Sequence, residues 1–180
     1  MIFPIDFKRL FFGALFFPIL CLLLHGCGYS ISQGKNPSVP LWMEKVYVEP
    51  WTNRTNEIRL SSLITDEIRH RFIMSNTFRL VRKEDADVVL SGEVRSVRNT
   101  GLSYVRYDQT IEREVIVECA VKMIEKKTGR VIWESSNITR SQSYLVGREL
   151  METEGLKDET LKKVSRYMAE VIYHRVAEVF

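Results

Sequence analysis

Apolar residues recur along this chain at three spacings: unbroken, at every second position, and at every third or fourth. The unbroken run comes first. Leu10 to Leu24 carries no charged residue and follows Lys8 and Arg9. Its fifteen residues would reach roughly 22 Å as a helix, short of the roughly 30 Å hydrocarbon core of a bilayer. With a basic segment before it and the small Gly26 ahead of Cys27, the run has the layout of a signal peptide that is cut away rather than of a helix that stays in the membrane.

The other two spacings alternate through the rest of the chain. Lys45 to Trp51 reads as a first strand closed by Pro50. Leu60, Leu63, Ile64, Ile68 and Phe72 recur at helical spacing and predict a helix from about Glu57 to Met74, with Thr52 to Asn56 offering cap-forming side chains ahead of it. Thr77 to Val81 is a brief second strand, and the strand-helix-strand order implies a crossover with these two strands parallel. Val88, Leu90 and Val94 alternate with Ser91, Glu93 and Arg95 in a third strand, which a long connection, Arg98 to Arg113, joins to a fourth at Glu112 to Glu125. There Val115, Val117, Cys119, Val121 and Met123 take one side, while Glu114, Glu118 and Lys122 take the other among Ile116 and Ala120. Lys126 to Gly129 forms a hairpin turn into a fifth strand, Val131 to Glu134. A last helix, Lys157 to Val179, aligns Leu161, Val164, Met168, Val171, Ile172 and Val179. The order β-α-β-β-β-α predicts an α+β fold: a two-layer sandwich with two helices packed on one face of a mixed four- to five-stranded sheet, the other face polar.

Cleavage before Cys27 divides the chain into a signal peptide (1–26), a tether rich in Ser, Gly, Asn and Pro (27–41) and a single domain (42–180). The whole-chain charge of +3 becomes +2 once Asp6, Lys8 and Arg9 leave, far from the basic footprint of a nucleic-acid binder, so no nucleic-acid partner is expected. Of the three cysteines, Cys21 leaves with the leader and Cys119 is left without a mate for a disulfide, a small buried apolar residue by expectation. No constellation for catalysis, metal or cofactor is visible. His70 and His174 lie on helices away from any ligand spacing, and there is no nucleophile elbow, phosphate loop or C-x-x-C. Glu112, Glu114 and Glu118 share a strand side, as acids on a solvated strand face commonly do. The chain reads as a non-enzyme.

Leu24-His25-Gly26-Cys27 resembles the lipobox of bacterial lipoproteins, with His25 where a small residue is usual. The resemblance implies that the Cys27 thiol becomes a thioether to diacylglycerol and that the new amine is acylated; an ordinary cleaved leader or an uncleaved anchor is the alternative. Several acyl chains hold a protein on a bilayer where one binds marginally. Gly28 is not the aspartate that retains lipoproteins in the inner membrane of enteric bacteria, which implies lipid anchoring to the outer membrane, on its periplasmic side.

A second resemblance runs through most of the mature chain. Cys27-Gly28-Tyr29, Val46-Tyr47-Val48-Glu49-Pro50 with Asn53-Arg54-Thr55, Phe78-Arg79-Leu80-Val81, Ala86-Asp87-Val88-Val89-Leu90-Ser91-Gly92 and Thr128-Gly129-Arg130-Val131-Ile132-Trp133-Glu134 together resemble the LptE family of outer-membrane lipopolysaccharide-assembly lipoproteins. This implies a plug inside the LptD β-barrel that assists its folding and binds lipopolysaccharide on the way to the outer leaflet. Parts of the pattern also resemble small α+β modules such as the amino-terminal domain of TolB and the curli-secretion lipoproteins, which keeps a generic envelope scaffold as the alternative. Lipid A presents phosphates and acyl chains, so a site for it needs cations beside apolar or aromatic surface. Two stretches offer that: Arg106 between Tyr104 and Tyr107, and the hairpin tip with Lys126, Lys127 and Arg130. The expectation is that the two act together.

The lipobox generates the first test. Metabolic labelling with a fatty acid should mark the wild-type chain and not Cys27→Ala; equal labelling of both would exclude the anchor.

Overall fold

The computed structural model describes residues 43–75, 77–106 and 109–178, with 104–106 and 109–110 described by their backbone. Among these residues the elements are, in order, β1 (Lys45–Val48), β2 (Thr52–Asn53), α1 (Leu60–Ile73), β3 (Arg79–Leu80), a short 3-10 helix (Lys83–Asp85), β4 (Val88–Arg106), β5 (Gln109–Glu125), β6 (Val131–Leu145) and α2 (Leu150–Glu178). The strands make one mixed sheet in the order β3-β1-β4-β5-β6, with β2 added beside β4. β1 is parallel to both β3 and β4, as a strand-helix-strand crossover requires, and β4, β5 and β6 form an antiparallel meander.

One face of the sheet is dry. Val46 and Val48 of β1, Leu90 and Val94 of β4, and Val115, Val117, Cys119 and Met123 of β5 are buried, and the stripes of both helices close over them through Leu60, Ile64, Ile68, Phe72, Leu161, Val164, Met168 and Ile172. Trp133 and Val171 pack against this core while remaining partly exposed. The two helices run parallel: Arg59 pairs with Asp158, Glu67 with Arg166 at 3.9 Å, and Ser75 Oγ shares a 2.6 Å hydrogen bond with Tyr173 Oη. Burial alone would lower the Lys157 ammonium, but its hydrogen bond and charge pairing with Glu57, with Glu154 alongside, raise its pKa above the usual value. At the C-terminal end of α1, Phe72 sits 5.3 Å from the Phe78 ring and 5.4 Å, edge-on, from that of Tyr173. Trp51 lies flat on β4 at Gly92, where a Cβ would come 2.3 Å from the indole, so only glycine admits the ring.

Three local features depart from the sequence reading. Thr52 to Asn56 does not cap α1. Asn53 Oδ1 accepts from the Thr55 amide (2.9 Å) and hydroxyl (2.8 Å), and Asn53 Nδ2 donates to the Glu57 carbonyl (2.8 Å), so these side chains brace their own loop and α1 starts later, after Arg59, with no side-chain cap. Such local bonds compete with capping for the same side chains. The connection Arg98 to Arg113 is for the most part strand: β4 and β5 pair from Val88↔Glu125 out to Arg106↔Gln109. β6 runs eleven residues past Glu134, and α2 begins seven residues ahead of Lys157. Gly129 does hold the expected left-handed turn, with φ of 72°. Of the residues assigned to the last helix, Val179 lies outside the described residues.

Phe72 is fully buried at the junction of both helices and β3, so Phe72→Ala should cost about 3–5 kcal/mol, read as a lowered melting temperature. An unchanged melt would contradict the packing.

Candidate functional site

The residues singled out for ligand chemistry fall at the two ends of the sheet. The β5–β6 turn adjoins the starts of β1 and β4: the Lys126 amide donates to the Asp87 carbonyl at 2.9 Å, and Val88 pairs with Glu125. Arg106 and Tyr104 occupy the other end, in register with Gln109 and Thr110. Tyr107 lies outside the described residues, as does Cys27. Thr110 and Glu125 are fifteen positions apart in β5, roughly 50 Å of extended strand. The two stretches therefore stand at opposite ends of the sheet and are not brought together, because the segment read as a long connection continues the β4–β5 ladder.

At the turn, two of the three cations are committed locally. Lys126 Nζ donates to the carbonyls of Lys83 and Glu84, both at 2.6 Å, clasping the turn to the 3-10 helix. Arg130 pairs with Glu125 at 3.6 Å, and the same carboxylate accepts from the Thr128 hydroxyl. Lys127 is exposed and makes no ion pair among the described residues.

The far end is built differently. Rungs Ser103↔Glu112 and Glu112↔Leu145 bring the ends of β4, β5 and β6 level, and α2 starts nearby after the loop Val146 to Glu149. Leu102, Ile111, Leu145, Leu150 and Met151 are all exposed here. Between β6 and α2 lies a cavity of about 470 Å³ walled by Tyr144, Leu145, Val146 and Leu156, with Arg148 and Lys163 contributing cations and Glu152 and Glu159 carboxylates. Tyr144 is fixed from across the sheet, its hydroxyl accepting from Asn99 Nδ2 at 2.7 Å. The loop is pinned by α2 itself. The Gly147 amide donates to Thr153 Oγ1 at 3.0 Å and the Arg148 amide to Glu152 Oε2 at 2.8 Å, while Glu152 lies so close over Gly147 that a Cβ there would meet it at 2.6 Å. The hydrogen bond of Glu159 to Lys162, and the charges of Lys162 and Lys163, lower its pKa.

This end meets the requirement of cations beside apolar surface, yet Arg148, Lys163 and the cavity were not singled out from sequence. Ending the fifth strand at Glu134 and starting the last helix at Lys157 left them unassigned. The available signal was the apolar run Tyr144-Leu145-Val146 broken by Gly147, followed by acids at 149, 152 and 154 suited to a helix start.

Elsewhere the chemistry is quiet. His70 and His174 are exposed on the helices, and no group of three or more metal-ligating side chains occurs among the described residues. Burial, with a smaller push from Glu118, raises the Cys119 thiol to about 12, so it stays protonated and inert. Glu112 and Glu118 accept from Ser103 and Ser96 on the helix-free face, at 3.4 and 3.3 Å.

Residues 43–177 match the model of the LptE family, described as lipopolysaccharide-assembly. No curated protein sequence matches. Among solved structures, rare lipoprotein B from Shewanella oneidensis superposes with a TM-score of 0.53 at 16% identity, over 74% of this chain and 94% of that one. Lipoprotein B from Nitrosomonas europaea gives 0.52 at 14%, over 75% and 83%. A putative lipoprotein from Caulobacter crescentus gives 0.51 at 13%, over 72% and 89%. These likenesses establish a shared fold.

The pinned loop generates a test. Thr153 is buried, and Thr153→Val keeps its shape while leaving the Gly147 amide without its acceptor, so stability should fall by about 1–3 kcal/mol in thermal or urea unfolding. An unaltered transition would mean the hydroxyl does not hold the loop.

Proposed function

The chain belongs to the LptE family of lipopolysaccharide-assembly proteins, and on that premise we propose that it is a non-enzymatic lipoprotein of the outer membrane, anchored through Cys27 on the periplasmic side, that plugs the LptD barrel, assists its assembly and binds lipopolysaccharide in transit. The observation that carries the ligand half of this reading is the far end of the sheet, where an apolar-walled cavity, exposed leucines, Arg148 and Lys163 stand together with the strand bearing Arg106 and Tyr104. Acyl chains call for the first two features and lipid A phosphates for the cations. Tyr107 belongs to the same proposed site. The helix-free face of the sheet supports the plug half. It presents Ser91, Glu93, Arg95, Lys122, Glu134 and Ser136 around a polar groove, a surface that suits the polar lumen of a barrel as well as it suits water.

Two measurements test the reading. Purification from detergent-solubilised envelopes should recover LptD with this protein at about one to one, the stoichiometry of a plug that fills one barrel lumen. LptD missing from the eluate, and folding normally when this protein is depleted, would end the plug assignment. For the ligand, Arg106→Glu with Arg148→Glu should weaken lipopolysaccharide binding by about tenfold or more, since each well-formed charge-assisted contact is worth about 1.5–3 kcal/mol. Affinity that survives the double change, in a chain whose circular dichroism is unaltered, would remove this end from the site.

A further inference from the structure

The opposite end of the domain carries its own set of uncompensated groups. The described chain enters the fold there at Met43, and the Glu44 carbonyl accepts from the Arg79 amide at the start of β3. α1 runs back to the same end and finishes in Ile73 and Met74, which are 64% and 66% exposed. Val131, first residue of β6, is exposed beside the β5–β6 turn. Arg79, at the start of β3, and Lys126 and Lys127, in the β5–β6 turn, lie at the same end of the sheet. Arg79 and Lys127 make no ion pair among the described residues, and Lys126 is held only by neutral carbonyls, so its charge is undiminished. Two of the nearby acids are already taken, Glu125 by Arg130 and Asp85 by Arg82.

Exposed apolar side chains and unpaired cations at one end of a domain match an anionic lipid headgroup layer with hydrocarbon beneath it. The length of chain before Met43 says which surface is at hand. Cys27 lies sixteen positions upstream, a span of at most roughly 55 Å when fully extended. The far end of the sheet is roughly another 50 Å beyond the chain's entry, so a lipid on Cys27 leaves the entry end at the bilayer with slack in the tether, whereas the far end would meet it only with the tether almost fully extended. Tethering at such range lets contacts too weak to bind from solution be occupied most of the time.

We propose that the end of the domain formed by Ile73, Met74, Arg79, Val131, Lys126 and Lys127 docks on the phospholipid surface into which the Cys27 acyl chains insert. The inference rests on the anchor proposed above. It gives the turn cations a partner other than lipopolysaccharide and gives the two exposed residues ending α1 a place to go.

The test uses the mature acylated chain in vesicles of phosphatidylethanolamine and phosphatidylglycerol, with a nitroxide on Met74→Cys or, as the reference, on Met151→Cys at the other end. Both positions are exposed, and Cys119 is buried with its thiol raised to about 12, so it escapes labelling. Accessibility to a water-soluble relaxation agent should drop about threefold or more at position 74, relative to detergent, and stay unchanged at 151, as expected when several basic residues meet an anionic surface. Raising the salt, replacing the anionic lipid with phosphatidylcholine, or introducing Arg79→Glu with Lys127→Glu should each restore it. Equal accessibility of both labels, in a chain that floats with vesicles through Cys27, would overturn the docked end and leave the anchor standing. Flotation undiminished in Cys27→Ala would overturn the anchor and the proposal with it. Protection at 74 that grows with protein density at fixed lipid would assign this surface to a second copy and overturn the bilayer contact.

Discussion

The structure depends on one pairing of surfaces: the dry face of β4 and β5 against the stripes of two parallel helices. Val94, Val115, Val117, Cys119 and Met123 have no alternative cover, and Ile64, Ile68, Phe72, Val164, Met168 and Ile172 have no other sheet to meet. Each side is unstable alone, since an amphipathic helix gains most of its stability from the surface it covers. The helices and strands are not of equal length, however. α1 has 14 residues and β5 has 17, which at helical and extended rise come to roughly 21 Å and 56 Å. A sheet so much longer than one of its covering helices must leave part of itself uncovered, and the exposed Leu102, Ile111 and Leu145 lie in that part.

The same inequality explains what the sequence disclosed. Wherever strand and helix cover one another, burial forces a period, and β1, α1, the first half of β4, the core of β5 and the last three-quarters of α2 could be read from it. Beyond the cover there is no inside and outside to mark. From Ser96 to Arg106 the ladder is carried by backbone pairing, and the shifts at Val94/Ser96 and Gly101/Ser103 break the alternation of faces along the strand. β6 is an edge strand with only Ile138 and Tyr144 buried among its last eleven residues, too few to establish a period. The opening turns of α2 turn Leu150 and Met151 to solvent, reversing the pattern by which a helix is recognised. The candidate site suffered most, because its cavity is bounded by these two unmarked segments. The aromatic and basic residues at 104–107 were visible by composition, whereas Arg148 and Lys163 acquire meaning only when β6 and α2 are seen to converge.

Charge is distributed in keeping with this division. Along the covered middle, ion pairs join α2 to α1 and to the loop ahead of it, or join that loop to β4: Glu67 with Arg166, Lys157 with Glu57, Arg54 with Glu93. The more exposed of these, such as Glu67 with Arg166, contribute little individually. At the ends the cations are spent differently. Lys126 holds a turn in place through carbonyls, while Arg79, Lys127 and Arg148 have no carboxylate within ion-pair distance among the described residues. Groups that the fold leaves unneutralised are those a partner can neutralise.

The run of β5 sets a length. A hydrogen-bonded antiparallel ladder does not stretch, and although the register shifts on both flanks of β5 curve and twist it, the count of residues between its ends caps their separation. Its roughly 56 Å exceeds the 40–45 Å of a bilayer with its headgroups. The domain is in that sense a gauge: whatever is held at one end stands a set distance from whatever is held at the other, and that distance is counted in residues of strand rather than adjusted by any hinge.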